Sequence, residues 1–307
     1  MDGRICAAKP SAPNMRLIFP ILNKGVELFE LPAWFLSETI SVLQIHGEDY
    51  LTLHRDDEDL YVPMVSAKTT CIYVEGVPPE GADSFARKLC TLFQFVFKTF
   101  STNPLLLSHA ALLEQVDQTK ARLFNSFDLL MPRYKDAPAQ SFAFNEGTRP
   151  EEVNKWYSIV SQAVAKHEPM QITLGRFNSC LLRNDPFDQI IDLTISMESL
   201  IQSSVELKFK FALFHSFLSQ RSPAPRAQTF AILKDLYDAR SSIVHGDSAT
   251  RSAQRKITDT IARIPELIRL AHASINYYSA FIFENSIDKW SAHLEGLIIG
   301  SVNPITE

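Results

Sequence analysis

The chain has no stretch approaching the roughly 18 consecutive apolar residues of a membrane-spanning helix, and its start, MDGRICAAKPSAPNMRL, has no continuous apolar core of a signal peptide. Neither secretion nor a membrane anchor is expected. Cysteine is scarce: Cys6, Cys71, Cys90 and Cys180 lie far apart, form no C-x-x-C pair and sit mostly in apolar runs, which fits buried free thiols in a reduced cytoplasm. Positive charge is also short, and the formal net charge of -5 excludes a global basic field that would hold nucleic acid non-specifically. Any contact with RNA must be local. There is no G-x-x-x-x-G-K-[ST], no G-x-G-x-x-G, no H-E-x-x-H and no Cys/His cluster, which argues against P-loop hydrolysis and zinc chemistry. No repeat and no low-complexity tract is present, and no cofactor is expected.

What remains is ordinary globular composition, 46% hydrophobic and 21% charged over 307 residues. That is enough for a sizeable core, and the length prior allows one large domain or two ordinary ones, of which two are expected. The first third is mixed. Tyr50, Thr52 and His54 alternate with Leu51 and Leu53, and Leu60–Met64 and Cys71–Val74 follow after polar breaks, which predicts short strands in a small sheet. From Ala82 to Phe100 the spacing of Phe85, Leu89, Leu92, Phe93, Val96 and Phe100 predicts a helix. Another helical pattern is read from about Leu105 to Leu130.

The segment MPRYKDAPAQSFAFNEGTRP, with three prolines and a glycine, is a break that we expect to hold the domain boundary. The expectation is α+β overall, a mixed domain over 1–140 followed by an all-helical domain over 141–307. Helix starts are signalled by Thr148 with Glu151, Asp185 with Pro186 and Asp188, and Ser203 with Glu206. The acidic run Asp56–Asp59 reads as a solvated turn, and His215 and His272, inside apolar stretches, read as packing residues.

The segment TFAILKDLYDARSSIVHGD is the most informative. Phe230, Leu233, Tyr237, Arg240 and Val244 recur at helical spacing beside a second stripe of Ile232, Leu236, Ala239 and Ile243, which predicts a deeply buried helix. Arg240 then needs a partner or a wet cleft, because a buried unpaired guanidinium costs several kcal/mol. Gly246 reads as the left-handed residue that closes the helix, so His245 occupies its last position. There the carbonyl end of the helix dipole is a favourable place for a cationic side chain. Residues five apart in a straight helix are ~7.5 Å apart along the axis and about 140° apart around it. Either the helix end bends His245 round to Arg240, or a second copy brings its own pair opposite.

With sixteen arginines and eight histidines, one fixed Arg-to-His spacing arises by chance about 0.4 times in such a chain, so context must decide. That context, over about residues 171–285, resembles the HEPN superfamily (higher eukaryotes and prokaryotes nucleotide-binding domains), particularly its Apea-like group. RFNSCLLRNDPFDQIIDLTISMESLI resembles the group's opening helix and acidic second helix, with Glu198 at the glutamate before an apolar pair. SSVELKFKFALFHSFL resembles its third helix and LKDLYDARSSIVHG its Arg-x4-His signature. The resemblance implies an all-helical bundle, homodimerisation through the motif-bearing helices and, in active members, metal-independent endoribonuclease activity in defence or toxin systems. Carried over, Arg240 would bind the scissile phosphate and His245 would act as general acid or base. Many active members have Asn, Asp or His after the arginine; here Ser241 stands there and supplies no charge.

Between Arg221 and Lys256 seven cations face three carboxylates. Such an excess can guide a phosphate backbone or simply be a solvated rim. Two readings stand side by side: an RNA-cleaving enzyme, and a catalytically inactive dimerisation or binding module in which Arg240 pairs with Glu198 or another acid. The part before about residue 140 resembles nothing named, and ligand sensing there is a third possibility. RNA and a second copy of the chain are the expected partners, and the identity of any further protein partner is left open.

Overall fold

The computed structural model describes residues 15–21, 23, 26–27, 33–46, 54–55, 58–59, 68–107, 109–115, 121–128, 141–201, 203, 205–220, 222–246 and 250–303. The fold is α+β. Two compact units are formed, a sheet unit (1–22, 30–87 and 107–129) and a helical unit (23–29, 88–106 and 130–307). The last passage between them falls at Leu129–Leu130, and the helical unit also takes two earlier segments of the chain.

The sheet unit is built on six antiparallel strands: β1 (Met15–Pro20), β3 (Ala33–Ser37), β4 (Ile40–His46), β7 (Lys68–Glu75), β8 (His109–Gln115) and β9 (Ala121–Asp128). Their spatial order is β3-β4-β7-β1-β8-β9. In β1 the adjacent Leu17, Ile18 and Phe19 are all buried. Because neighbouring side chains in a strand point to opposite faces, both faces of this central strand are covered. Arg16 lies opposite Glu75 of β7 and pairs with it at 3.1 Å. Two short ribbons complete the strands: β5 (His54–Arg55) with β6 (Glu58–Asp59), and, in the helical unit, β2 (Val26–Glu27) with β10 (Phe142–Ala143).

Cys71–Val74 falls inside β7 as expected, while 50–53 and 60–64 lie outside the described residues. The helix expected over Leu105–Leu130 is absent. That stretch forms the antiparallel pair β8–β9, with β8 also bonded to β1. Its short apolar runs satisfy either period, and the free edge of β1, distant in sequence, decides for strand.

Helix α1 (Ala82–Thr99) forms where its spacing predicts. Among the described residues eight more α-helices follow: α2 (Pro150–Lys166), α3 (Pro169–Leu182), α4 (Pro186–Glu198), α5 (Leu207–Ser219), α6 (Pro223–His245), α7 (Arg251–Ala262), α8 (Ile264–Glu284) and α9 (Trp290–Ile299). Proline opens α2, α3, α4 and α6, where its fixed φ suits the first turn and its missing N–H costs nothing. Asp185 caps α4, its carboxylate accepting from the N–H groups of Phe187 and Asp188. At α2 the cap sits one residue later than expected: Glu152 accepts from the N–H of Arg149 and from its guanidinium. At α5 the expected Ser203 cap fails. Helix α5 starts after Glu206, which takes a left-handed φ of 54°, and the Ser203 hydroxyl donates to the Val205 carbonyl.

Helix α8 is the axis of the helical unit, packing on α2, α3, α4 and α5. Leu267, Ala271, Ser274, Ile275, Tyr278, Ser279 and Ile282 are fully buried along it, the small residues letting neighbouring helices approach closely. Trp290 meets Tyr278 edge-to-face at 4.7 Å, and its indole N–H donates to the Leu200 carbonyl at 2.8 Å. The α3–α4 pair is held by an ion cluster. Asp192, fully buried, accepts from Arg176 at 3.0 Å and from Arg183 Nε, while Arg183 also pairs with Asp188 at 2.6 Å.

Candidate functional site at the end of α6

Helix α6 is less buried than its two apolar stripes suggest. Thr229, Ile232, Leu233, Leu236 and Ala239 face the core. The other stripe lies at the boundary: Phe230, Tyr237 and Arg240 are half-buried and Val244 is 50% exposed. Successive residues turn by about 100° around the axis, so the two stripes face different directions; Ile232 and Leu236 are buried, while α5 reaches the other stripe only in part, through Phe209 on Phe230 and Phe211 on Tyr237.

The helix remains α-helical through His245, and Gly246 closes it with φ 75° and ψ 11°. His245 is exposed at that terminus. With no bend, helix geometry keeps it on a different face from Arg240. One chain therefore does not bring guanidinium and imidazole together.

Arg240 is half-buried, and its Nε is enclosed without a hydrogen-bond partner. Among the described residues its guanidinium makes no ion pair, with Glu198 or any other acid. Glu198, the last residue of α4, is instead met by the Tyr237 hydroxyl, which donates to Oε1 over a long 3.4 Å. Burial, then the Glu198 charge, push the Tyr237 phenol above its ordinary range, while the nearby Arg240 cation opposes them. The structure thus gathers Glu198, Tyr237 and Arg240, with Ser241 half-buried beside them in sequence.

Behind this group stands His215, fully buried, its Nε2–H donating to the Met197 carbonyl at 3.0 Å. Burial lowers its titration to about 4, so it stays neutral, and Nδ1 is left without a partner. Phe211 packs edge-on to His215 at 5.0 Å and against Tyr237 at 5.4 Å. His215 is a packing residue, as expected, and it holds the last turn of α4 from which Glu198 projects. Tyr237 was legible only as one member of an apolar stripe; its 39-residue separation from Glu198 left no local signal.

Much of the local positive charge is already engaged. Lys256 bonds Asp238 at 2.8 Å and Lys208 bonds it too. Burial pushes the Asp238 carboxyl up, but the two lysines outweigh it and hold it below its usual range. Lys234 lies over the Phe230 ring and Arg226 over Phe217. Arg240 differs from these in having no such occupation. No group of three or more His, Cys, Asp or Glu with the geometry to hold a metal occurs among the described residues.

Comparison of the chain with protein-family models, curated proteins and solved structures gives no match.

Proposed function

We propose that the helical unit is a HEPN-like RNA-cleaving module whose site is the Arg240–His245 end of α6, completed by the same segment of a second copy. The observation that carries this reading is a guanidinium without a protein partner, its Nε enclosed, on a helix that ends in an exposed histidine. A cation in that position is relieved by a bound anion, and the planar fork of arginine matches phosphate. In this scheme Arg240 grips the phosphate and His245 of one copy moves the proton of a ribose 2'-OH or of the leaving oxygen. The 2'-oxygen attacks phosphorus, the 5'-oxygen bond breaks, and a 2',3'-cyclic phosphate and a 5'-hydroxyl result.

The test is cleavage of end-labelled single-stranded RNA by the purified chain beside its His245→Ala variant. Cleavage that survives EDTA, fails on a substrate with a deoxy sugar at the cut and drops roughly 10²- to 10⁴-fold in the variant supports the scheme. Equal cleavage by a folded His245→Ala dimer refutes it.

A second reading, a catalytically inactive dimerisation or binding module, is favoured by Ser241, which supplies no charge, and by Glu198, which lies near Tyr237 and Arg240. A dimer that buries Arg240 against a carboxylate and cleaves no RNA supports that reading.

A further inference from the structure

Lys234, Ser241 and His245 stand in line along α6. At about 100° per residue Ser241 and His245 each fall within about 20° of Lys234, and the line runs roughly 17 Å along the axis. Phe230 and Tyr237 lie about 40° and 60° to one side of it. That side meets α5, where Phe209 packs edge-to-face on Phe230 at 5.7 Å and Phe211 tilts against Tyr237 at 5.4 Å. Phe209 is 50% exposed, and the Lys234 ammonium sits 5.5 Å from the centre of the Phe230 ring.

A single exposed phenylalanine is ordinary. Here the open ring is braced by a second ring and flanked by cations that no carboxylate neutralises. Lys234 and Lys210 make no ion pair among the described residues. Lys210 donates to the Ser203 hydroxyl, and the ring beside Lys234 carries no net charge. Asp238 is already shared by Lys208 and Lys256, and Asp235 lines a crevice with Arg263 on the α7 side. Glu206, exposed one turn before Phe209, and Glu198 beside Tyr237 are the carboxylates left to set against Lys210, Lys234 and Arg240.

An open ring beside surplus cations, on a line that ends at a histidine, suits one class of partner. A single-stranded nucleic acid presents flat base faces to aromatic rings and phosphates to the cations, whereas a duplex keeps its base faces stacked inside. An apolar peptide would cover Phe209 and leave Lys234 and Lys210 unmatched.

We propose that this α5–α6 face is a binding track for single-stranded RNA, with a base stacked on Phe209 and the phosphates guided by Lys234 and Lys210 toward His245. The direction of the strand toward His245 rests on the RNA-cleaving reading; the binding itself stands apart from it.

The test is fluorescence anisotropy of the full chain with a short, labelled 2'-O-methyl RNA, which lacks the attacking hydroxyl and stays whole, beside the same sequence annealed to its complement. The single strand binds more tightly than the duplex. Phe209→Ala weakens binding roughly 5- to 100-fold and Phe209→Tyr restores it, as stacking requires. Lys234→Gln reduces the slope of log affinity against log salt by about 0.7, the share of one phosphate contact on a single strand, while Phe209→Ala leaves that slope unchanged. A merely structural role for these side chains predicts neither the split in slopes nor the rescue. No binding of the single strand at roughly 10⁻⁴ M, the weak end of non-specific affinity, overturns the proposal. So do equal binding of the duplex, unchanged binding by both Phe209→Ala and Lys234→Gln, and a Phe209→Ala chain that turns monomeric in sedimentation, which marks the face as one covered by a second copy. Binding that follows these expectations in a chain that cleaves no RNA leaves the track standing and refutes the cleavage reading. RNA cleavage that both variants leave untouched does the reverse.

Discussion

Replacement of Asp192 by alanine removes the one carboxylate that both arginines of the α3–α4 cluster share. Asp192 is 0% exposed and Arg183 only 7%, so the guanidinium left behind stays in a low-dielectric setting. Breaking a buried pair from one side costs about 3–5 kcal/mol. Two features place this case near the lower end. Arg183 keeps Asp188 at 2.6 Å, and Arg176, with 45% of its side chain exposed, can turn to water. We expect a loss of about 3 kcal/mol, which for a domain of this size lowers the melting temperature by roughly 6–12 °C. Urea titration followed by helical circular dichroism measures it. The Asp192→Leu, Arg183→Met double variant is the control: with both charges gone and the volume kept, stability returns to within about 1 kcal/mol of wild type. A single variant that loses less than about 1 kcal/mol, or a double variant as unstable as the single, refutes the argument that an uncompensated charge is what costs.

Four further expectations are open to measurement. Gly246→Ala, placing a side chain at φ 75°, lowers stability by about 1 kcal/mol in the same urea assay, since alanine is strained there. Stability falls as pH drops from about 6.5 to about 4. Burial holds His215 at about 4, and burial with the Lys98 charge holds His272 there, so the unfolded chain binds more protons across that window. Each ring contributes on the order of 3 kcal/mol above it, and a urea midpoint unchanged between pH 7 and pH 5 contradicts this. Cys71, Cys90 and Cys180 are buried, and burial pushes the Cys71 thiol up to about 12; they react with a thiol reagent only on unfolding, and fast native labelling at any of them is the contrary result. Sedimentation at micromolar concentration reports a dimer that Arg240→Lys preserves while weakening RNA cleavage, because charge remains and the planar fork is lost; a monomer counts against the composite site.

Helix boundaries were legible at Asp185 and at Gly246, where local chemistry punctuates the chain, while the cap read at Thr148 lies one residue later and the one read at Ser203 does not form. Pro186 with Asp185, and Gly246 after His245, act on their own backbone within a few residues, so the sequence carries them openly. Where a boundary depends on a neighbour the reading slipped, as at Glu206, whose left-handed turn nothing nearby announces. The β8–β9 pair was misread for a stronger form of the same reason, because its partner β1 lies some ninety residues earlier. At the candidate site, Arg240 and His245 were legible as a motif on one helix. The opening of their stripe to the surface, the approach of Tyr237 to Glu198 and the support from His215 all come from packing between helices.

The sheet order has a consequence for the chain during its synthesis. Among the described strands, the earliest in the chain is the one that joins the two halves, since β3, β4 and β7 reach β8 and β9 only through it. It gains its β7 neighbour more than fifty residues later, and its other side stays open until β8 arrives. A stop or break in the chain before His109 therefore leaves the apolar Met15–Pro20 with a bare hydrogen-bonding edge. Such an edge invites pairing with another chain, and shortened forms that begin after Pro20 lose the link between the halves altogether.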